Sequence, residues 1–186
     1  MDKMQFIEQA IRNYRWMLLF RGLLAVLFGI VAIAWPGITL IALVYLFGAY
    51  ALIDGVVEVV TAARHAKDQG WGLLLVEGIV SALAGVVAFA SPGITALVFL
   101  YLLAAWAVVT GIIEIVAAFS LPLGASREWL LGLAGLASIL FGILIAIQPS
   151  SGLLTVVWLI GIYAIVFGAL LIVRYFQTRS LASHLA

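Results

Sequence analysis

Five ionisable side chains fall inside stretches that are otherwise apolar: Arg21, Asp54, Glu58, Glu77 and Glu114. In such surroundings they can do two kinds of work. They can pair and order the helices that carry them, or take up and release protons where water is scarce. Asp54 and Glu58 are one helical turn apart, so they share a helix face. Arg21 lies 15 residues before Pro36, and Asp54 and Glu58 lie 18 and 22 after it. If the chain turns back at that proline, the three are at similar depth, and an ion-paired cluster is expected. Further on, Glu77 takes the place of Arg21 and is expected to face Thr110 and Glu114. Two carboxylates without an internal cation make this pair the candidate protonatable site. Three readings of it stay open: a salt bridge in which Arg21 crosses over to Glu77 or Glu114, a carboxylate that reaches the headgroups, or a proton-handling site.

Other chemistry finds little footing. His65 and His184 are isolated and read as solvated. The chain has no Cys, which excludes thiol nucleophiles, thiolate metal sites and disulfides. No metal-ligand spacing, phosphate-binding loop or nucleophile–base arrangement is visible. No enzyme activity, metal or cofactor is therefore expected.

The elements that carry the five residues follow from composition. Of 186 residues, 67% are hydrophobic and 9% charged, against about 25% charged in ordinary soluble domains. So few charges cannot clothe a surface in water, and the chain reads as an all-α integral membrane protein. A net charge of +1 gives no reason to expect nucleic acid. Apolar stretches at 16–35, 38–62, 72–90, 94–118, 129–147 and 153–173 each suit a helix crossing ~30 Å of hydrocarbon. The first is too long for a cleaved leader and is expected to be a retained span. Three breaks are tight and uncharged: Trp35-Pro36-Gly37, Ser91-Pro92-Gly93 and Gln148-Pro149-Ser150-Ser151-Gly152. The other breaks, at 64–68 and 126–128, and both ends of the chain carry all of the 9 Lys and Arg but Arg21, which lies near that same end of the first span. The positive-inside rule then places both termini in the cytoplasm, with the Pro turns outside. Residues 1–15 have Met4, Ile7, Ile11 and Tyr14 at helical spacing, which predicts an amphipathic segment at the cytoplasmic interface.

Self-comparison reveals a threefold repeat. Gly22, Gly29, Pro36 and Gly55 become Gly78, Gly85, Pro92 and Gly111 on adding 56, then Gly135, Gly142, Pro149 and Gly168 on adding 57. Each unit holds two spans, so the copies enter the membrane from the same side. The expected architecture is six transmembrane helices as three parallel two-helix repeats, 16–63, 72–119 and 129–175, forming a pseudo-threefold bundle with a cytoplasmic tail at 176–186. Small residues recur in steps of three and four in every span, as in Gly48/Ala51/Gly55 and Ala104/Ala107/Gly111. Such a stripe lets backbones approach closely, which lipid otherwise gives helices little reason to do. The nine glycines at the first, second and fourth positions of the motif are the expected packing seam. Glu58 and Glu114 continue it, whereas the third unit has Leu171. Trp16, Trp35, Trp71, Trp129, Tyr14 and Tyr175 lie near span ends, as an aromatic belt would. Tyr50, Trp106 and Tyr163 occupy equivalent mid-span places and read as packing rather than ligand-binding residues.

The repeat, with Gly22/Gly29/Pro36-Gly37, Gly78/Gly85/Pro92-Gly93, Gly-Ile-Thr at 37–39 and 93–95, Asp54-Gly55-x-x-Glu58 and Gly111-x-x-Glu114, resembles the HdeD family over roughly 16–175. Those are small bacterial inner-membrane proteins with a short repeat of uncharacterised role. Ser150 after Pro149 and Leu171 in place of Glu depart from the pattern, which counts against any role that needs three equivalent acidic sites. The resemblance implies an acid- or envelope-stress protein and supplies no catalytic residue. The expected function is non-enzymatic, acting in the lipid bilayer through packing with copies of itself or other membrane proteins. The alternative is a small proton-linked channel or transporter using Glu77 and Glu114.

Overall fold

The computed structural model describes the backbone of residues 3–66, 70–120 and 125–182, and the side chains of 16–66, 70–120 and 127–177. Its regular structure is six α-helices: α1 Lys3–Ala34, α2 Pro36–Arg64, α3 Trp71–Ala90, α4 Pro92–Ser120, α5 Ala125–Ile147 and α6 Pro149–Ala182. All six are long and apolar enough to span a membrane. The N-terminal segment is continuous with the first span in α1, and α6 runs on past the sixth. The side chains on which the amphipathic reading of 1–15 rests, and His184, lie outside the described residues.

The proline breaks are built alike. Pro36, Pro92 and Pro149 each take the first position of a helix, where the missing N–H costs nothing and the ring presets φ. A single non-helical residue separates the two helices at each break. That residue serves both. Trp35 donates its N–H to the Val31 carbonyl (2.8 Å) and accepts at its own carbonyl from the Thr39 N–H (3.1 Å). Ser91 bridges Val87 and Thr95 in the same way, and Gln148 bridges Leu144 and Gly152. Thr39 and Thr95 are buried and turn their hydroxyls onto the same carbonyls, at 3.1 and 3.3 Å. Each turn thereby satisfies these backbone groups within the chain. At the opposite end, Gly70 enters α3 with φ +90°, a left-handed conformation that L side chains resist.

The chain gathers into two compact bodies: Met1–Thr39 with Thr155–Ala186, and Leu40–Leu154. The first holds α1 and most of α6. The second holds most of α2, with α3, α4 and α5. In the second body Val44, Ala88 and Ala96 form a small core, packed by Leu40, Phe47 and Leu153. Phe47 meets Phe99 edge-on at 4.7 Å between ring centres.

What is buried is small, and what is large faces out. Alanines make up most of the buried hydrophobic set, and no more than 22% of any span's most apolar window is buried. Leu, Ile, Val and Phe are exposed along every helix. Water could not tolerate this inversion, but a bilayer can, because tails solvate large apolar side chains while small ones let backbones meet. Trp16, Trp35, Trp71 and Trp129 are exposed at span ends. Tyr50, Trp106 and Tyr163 are 66–69% exposed and point outward.

Candidate functional site: carboxylates in the glycine seams

The close approaches follow one scheme. A methyl group built on Gly78 would stand 2.9 Å from the Gly55 carbonyl oxygen, and one on Gly85 2.8 Å from that of Gly48, so α2 packs on α3. On Gly135 it would stand 2.6 Å from the Gly111 carbonyl, and on Gly142 2.7 Å from that of Ala104, so α4 packs on α5. On Gly22 it would stand 2.9 Å from the Gly168 carbonyl, and on Gly29 2.5 Å from that of Gly161, so α1 packs on α6. Carbon normally approaches other heavy atoms no closer than about 3.5 Å. All nine motif glycines are buried and meet backbone in this way. Gly37 and Gly93, which follow the prolines, meet nothing within 4 Å.

Each tight seam therefore joins the second helix of one repeat to the first helix of the next, with the third repeat returning to the first. The seams do not lie between the two helices of a hairpin. This changes which ionisable groups meet. Asp54 and Glu77 are the charged groups that act electrostatically on Glu58, the latter from across the α2·α3 seam. By the same register Ala134 stands opposite Glu114, and Arg21 opposite Leu171. The expected facing of Glu77 with Glu114 assumed that hairpin partners share a seam. Within its own body Arg21 belongs to the α1·α6 seam, where Leu171 takes the place of the carboxylate. Arg21 and Glu77 are exposed, while Asp54, Glu58 and Glu114 are half-buried. Thr110 turns its hydroxyl onto the carbonyls of Trp106 (2.8 Å) and Ala107 (3.2 Å) of its own helix.

Glu58 and Glu114 share a further property. Each has one carboxyl oxygen, Oε2, shielded from solvent and without a hydrogen-bond partner among the described residues. Glu58 is pinned there, because its Cβ would lie 2.8 Å from a methyl on Gly78. The Leu171 Cβ holds the corresponding place over Gly22, at 3.2 Å. The third seam thus closes with a hydrocarbon where the other two carry a carboxyl. A buried polar oxygen left unpaired weakens a seam, so Glu58 and Glu114 are not explained by closure alone. Among the described residues no group of three or more His, Asp or Glu is placed to hold a metal ion.

Six apolar helices, a repeated helix pair and a glycine seam at every repeat junction define a membrane-spanning repeat protein. The family model for a short repeat of unknown function (DUF308) matches the chain three times, over residues 20–81, 76–147 and 133–185, and the chain belongs to this family. The first match runs from α1 through α2 into α3 and so includes both sides of the Gly55/Gly78 contact. No curated protein and no solved structure matches.

Proposed function

We propose that this is an HdeD-type protein of the bacterial inner membrane, with cytoplasmic termini, that serves in acid or envelope stress. It catalyses no reaction and acts by packing its helices with copies of itself or other membrane proteins. The observation that carries this reading is the pair of partnerless carboxyl oxygens, Glu58 Oε2 and Glu114 Oε2, in two of three otherwise equivalent seams. They make helix packing answer to acid. A carboxyl oxygen held in a seam without a partner opposes closure more when its group is ionised than when it is neutral. We therefore expect the two acidic seams, α2·α3 and α4·α5, to tighten as pH falls. Beyond Arg127 and Glu128 at its start, α5 offers Glu114 no charge at all.

The outward rings support association. Tyr50 and Tyr163 carry hydroxyls near the middle of spans, facing away from their own body. A phenol prefers a partner to bare hydrocarbon, and a neighbouring helix supplies one. The test is hydrogen exchange in lipid nanodiscs at neutral and acidic pH. Protection in α3 and α5 should rise on acidification while that of the α1·α6 seam stays level. The Glu58→Leu/Glu114→Leu variant, which copies Leu171 into both seams, should lose the difference. Equal response of all three seams refutes the reading.

A further inference from the structure

A groove of about 430 Å³ opens at the charged-loop end of the α4·α5 seam, within the ~300–1,000 Å³ of small-molecule sites. Its floor is Ala118 and Gly132, its walls include Ile115 and Leu136, and Phe119, Trp129 and Glu128 stand at its mouth. The repeat explains why it is there. Gly132 occupies the place held by Leu75 in the second repeat and Leu19 in the first. Ala118 corresponds to Ala62 and Tyr175. The α2·α3 seam therefore sets Ala62 against Leu75, and the α1·α6 seam sets Tyr175 against Leu19. The α4·α5 seam sets alanine against glycine. Among the described residues a methyl on Gly132 would meet nothing nearer than the Ala118 Cβ at 3.9 Å.

We propose that this groove binds one acyl chain of a zwitterionic aminophospholipid, whose headgroup sits on Arg127 and Glu128. The interior is apolar, and its mouth is framed by Phe119 and Trp129, which are 88% and 74% exposed on the face that tails would cover. Glu128 brings a negative charge to the lip, and Arg127 precedes it in the first turn of α5. Glu128 lines the groove and its carboxylate accepts from the lipid ammonium, while the neighbouring exposed Arg127 donates to the phosphate. An anionic headgroup would satisfy the arginine alone and would meet the glutamate unfavourably. In the equivalent places the second repeat has Gly70 and Trp71, with no charge.

The experiment uses the full chain reconstituted in an equal mixture of phosphatidylethanolamine and phosphatidylglycerol with identical tails, then released for native mass spectrometry. Wild type should retain phosphatidylethanolamine several-fold over phosphatidylglycerol. Gly132→Leu and Ala118→Tyr fill the groove from opposite walls with residues this chain already uses at the equivalent places. Each should lose one equivalent of retained lipid, and whichever folds with wild-type helicity decides the matter. Glu128→Gln should keep the lipid but lose the headgroup preference. Equal retention of the two lipids by wild type, or undiminished retention by a folded groove-filling variant, overturns the proposal.

Discussion

Two glycines one turn apart on α5 should respond unequally to the same substitution. A methyl on Gly135 would lie 2.6 Å from the Gly111 carbonyl oxygen, 2.8 Å from Ile115 Cγ1 and 3.0 Å from the Ile115 backbone nitrogen. Two of these three atoms are backbone and cannot rotate aside, so α4 must retreat by roughly 1 Å to restore ordinary contact. Overpacking of this kind costs about 1–3 kcal/mol. A methyl on Gly132 meets only the Ala118 Cβ at 3.9 Å, a normal contact, and Ala favours helix over Gly by roughly 0.5–1 kcal/mol. Both variants gain this helix propensity, so Gly132→Ala should stabilise slightly and Gly135→Ala should fall below it by the overpacking cost, a spread of about 1–3 kcal/mol. Reversible unfolding in mixed micelles, followed by helical circular dichroism against denaturant, reads both. If the two variants shift together, the seam does not depend on backbone approach and the packing account fails.

Other consequences are open to direct measurement. Glu114→Leu should leave the fold intact and raise resistance to denaturing detergent at neutral pH, since the α1·α6 seam already closes over Leu171; a loss of stability would show that the carboxyl is a structural partner. Thr39→Val removes only the hydroxyl bond to the Trp35 carbonyl, which keeps its bond from the Thr39 N–H. It should cost no more than about 0.5–1.5 kcal/mol in the same unfolding assay. Because the chain has no Cys, single cysteines can map topology: one at Gly37 should react with an impermeant maleimide from outside the cell and one at His65 only after permeabilisation. The reverse labelling would invert the orientation. Tyr50→Phe with Tyr163→Phe should weaken self-association in cross-linking experiments if the outward phenols meet a second copy.

The spans and the repeat were legible because each has a one-dimensional signature. Apolar length, Pro after a break and a constant offset of 56 or 57 residues need no knowledge of neighbours, and the helices begin at Pro36, Pro92 and Pro149 as that pattern requires. Helix pairing has no such signature. Hairpin neighbours are the natural first guess, since consecutive elements usually touch, and that guess put Glu77 with Glu114. The glycines marked which faces pack but not on which partner. In lipid the largest side chains belong outside, as Tyr50, Trp106 and Tyr163 show, against the habit formed on soluble cores. The α4·α5 groove was also missed, although comparing Gly132 with Leu75 and Leu19 would have revealed it.

The order of pairing has a consequence for how such a chain can be cut and joined. Running α2 with α3, α4 with α5 and α6 with α1, the scheme has no privileged beginning. Two of these pairs are bridged by a peptide loop and the third by contact alone. A gene rearranged to start at α3 or at α5, with the present ends spliced together, would ask every helix for the same partner it has now. The α1·α6 pair, held by Gly22 and Gly29 against Gly168 and Gly161, shows that such a junction can be made without a covalent link.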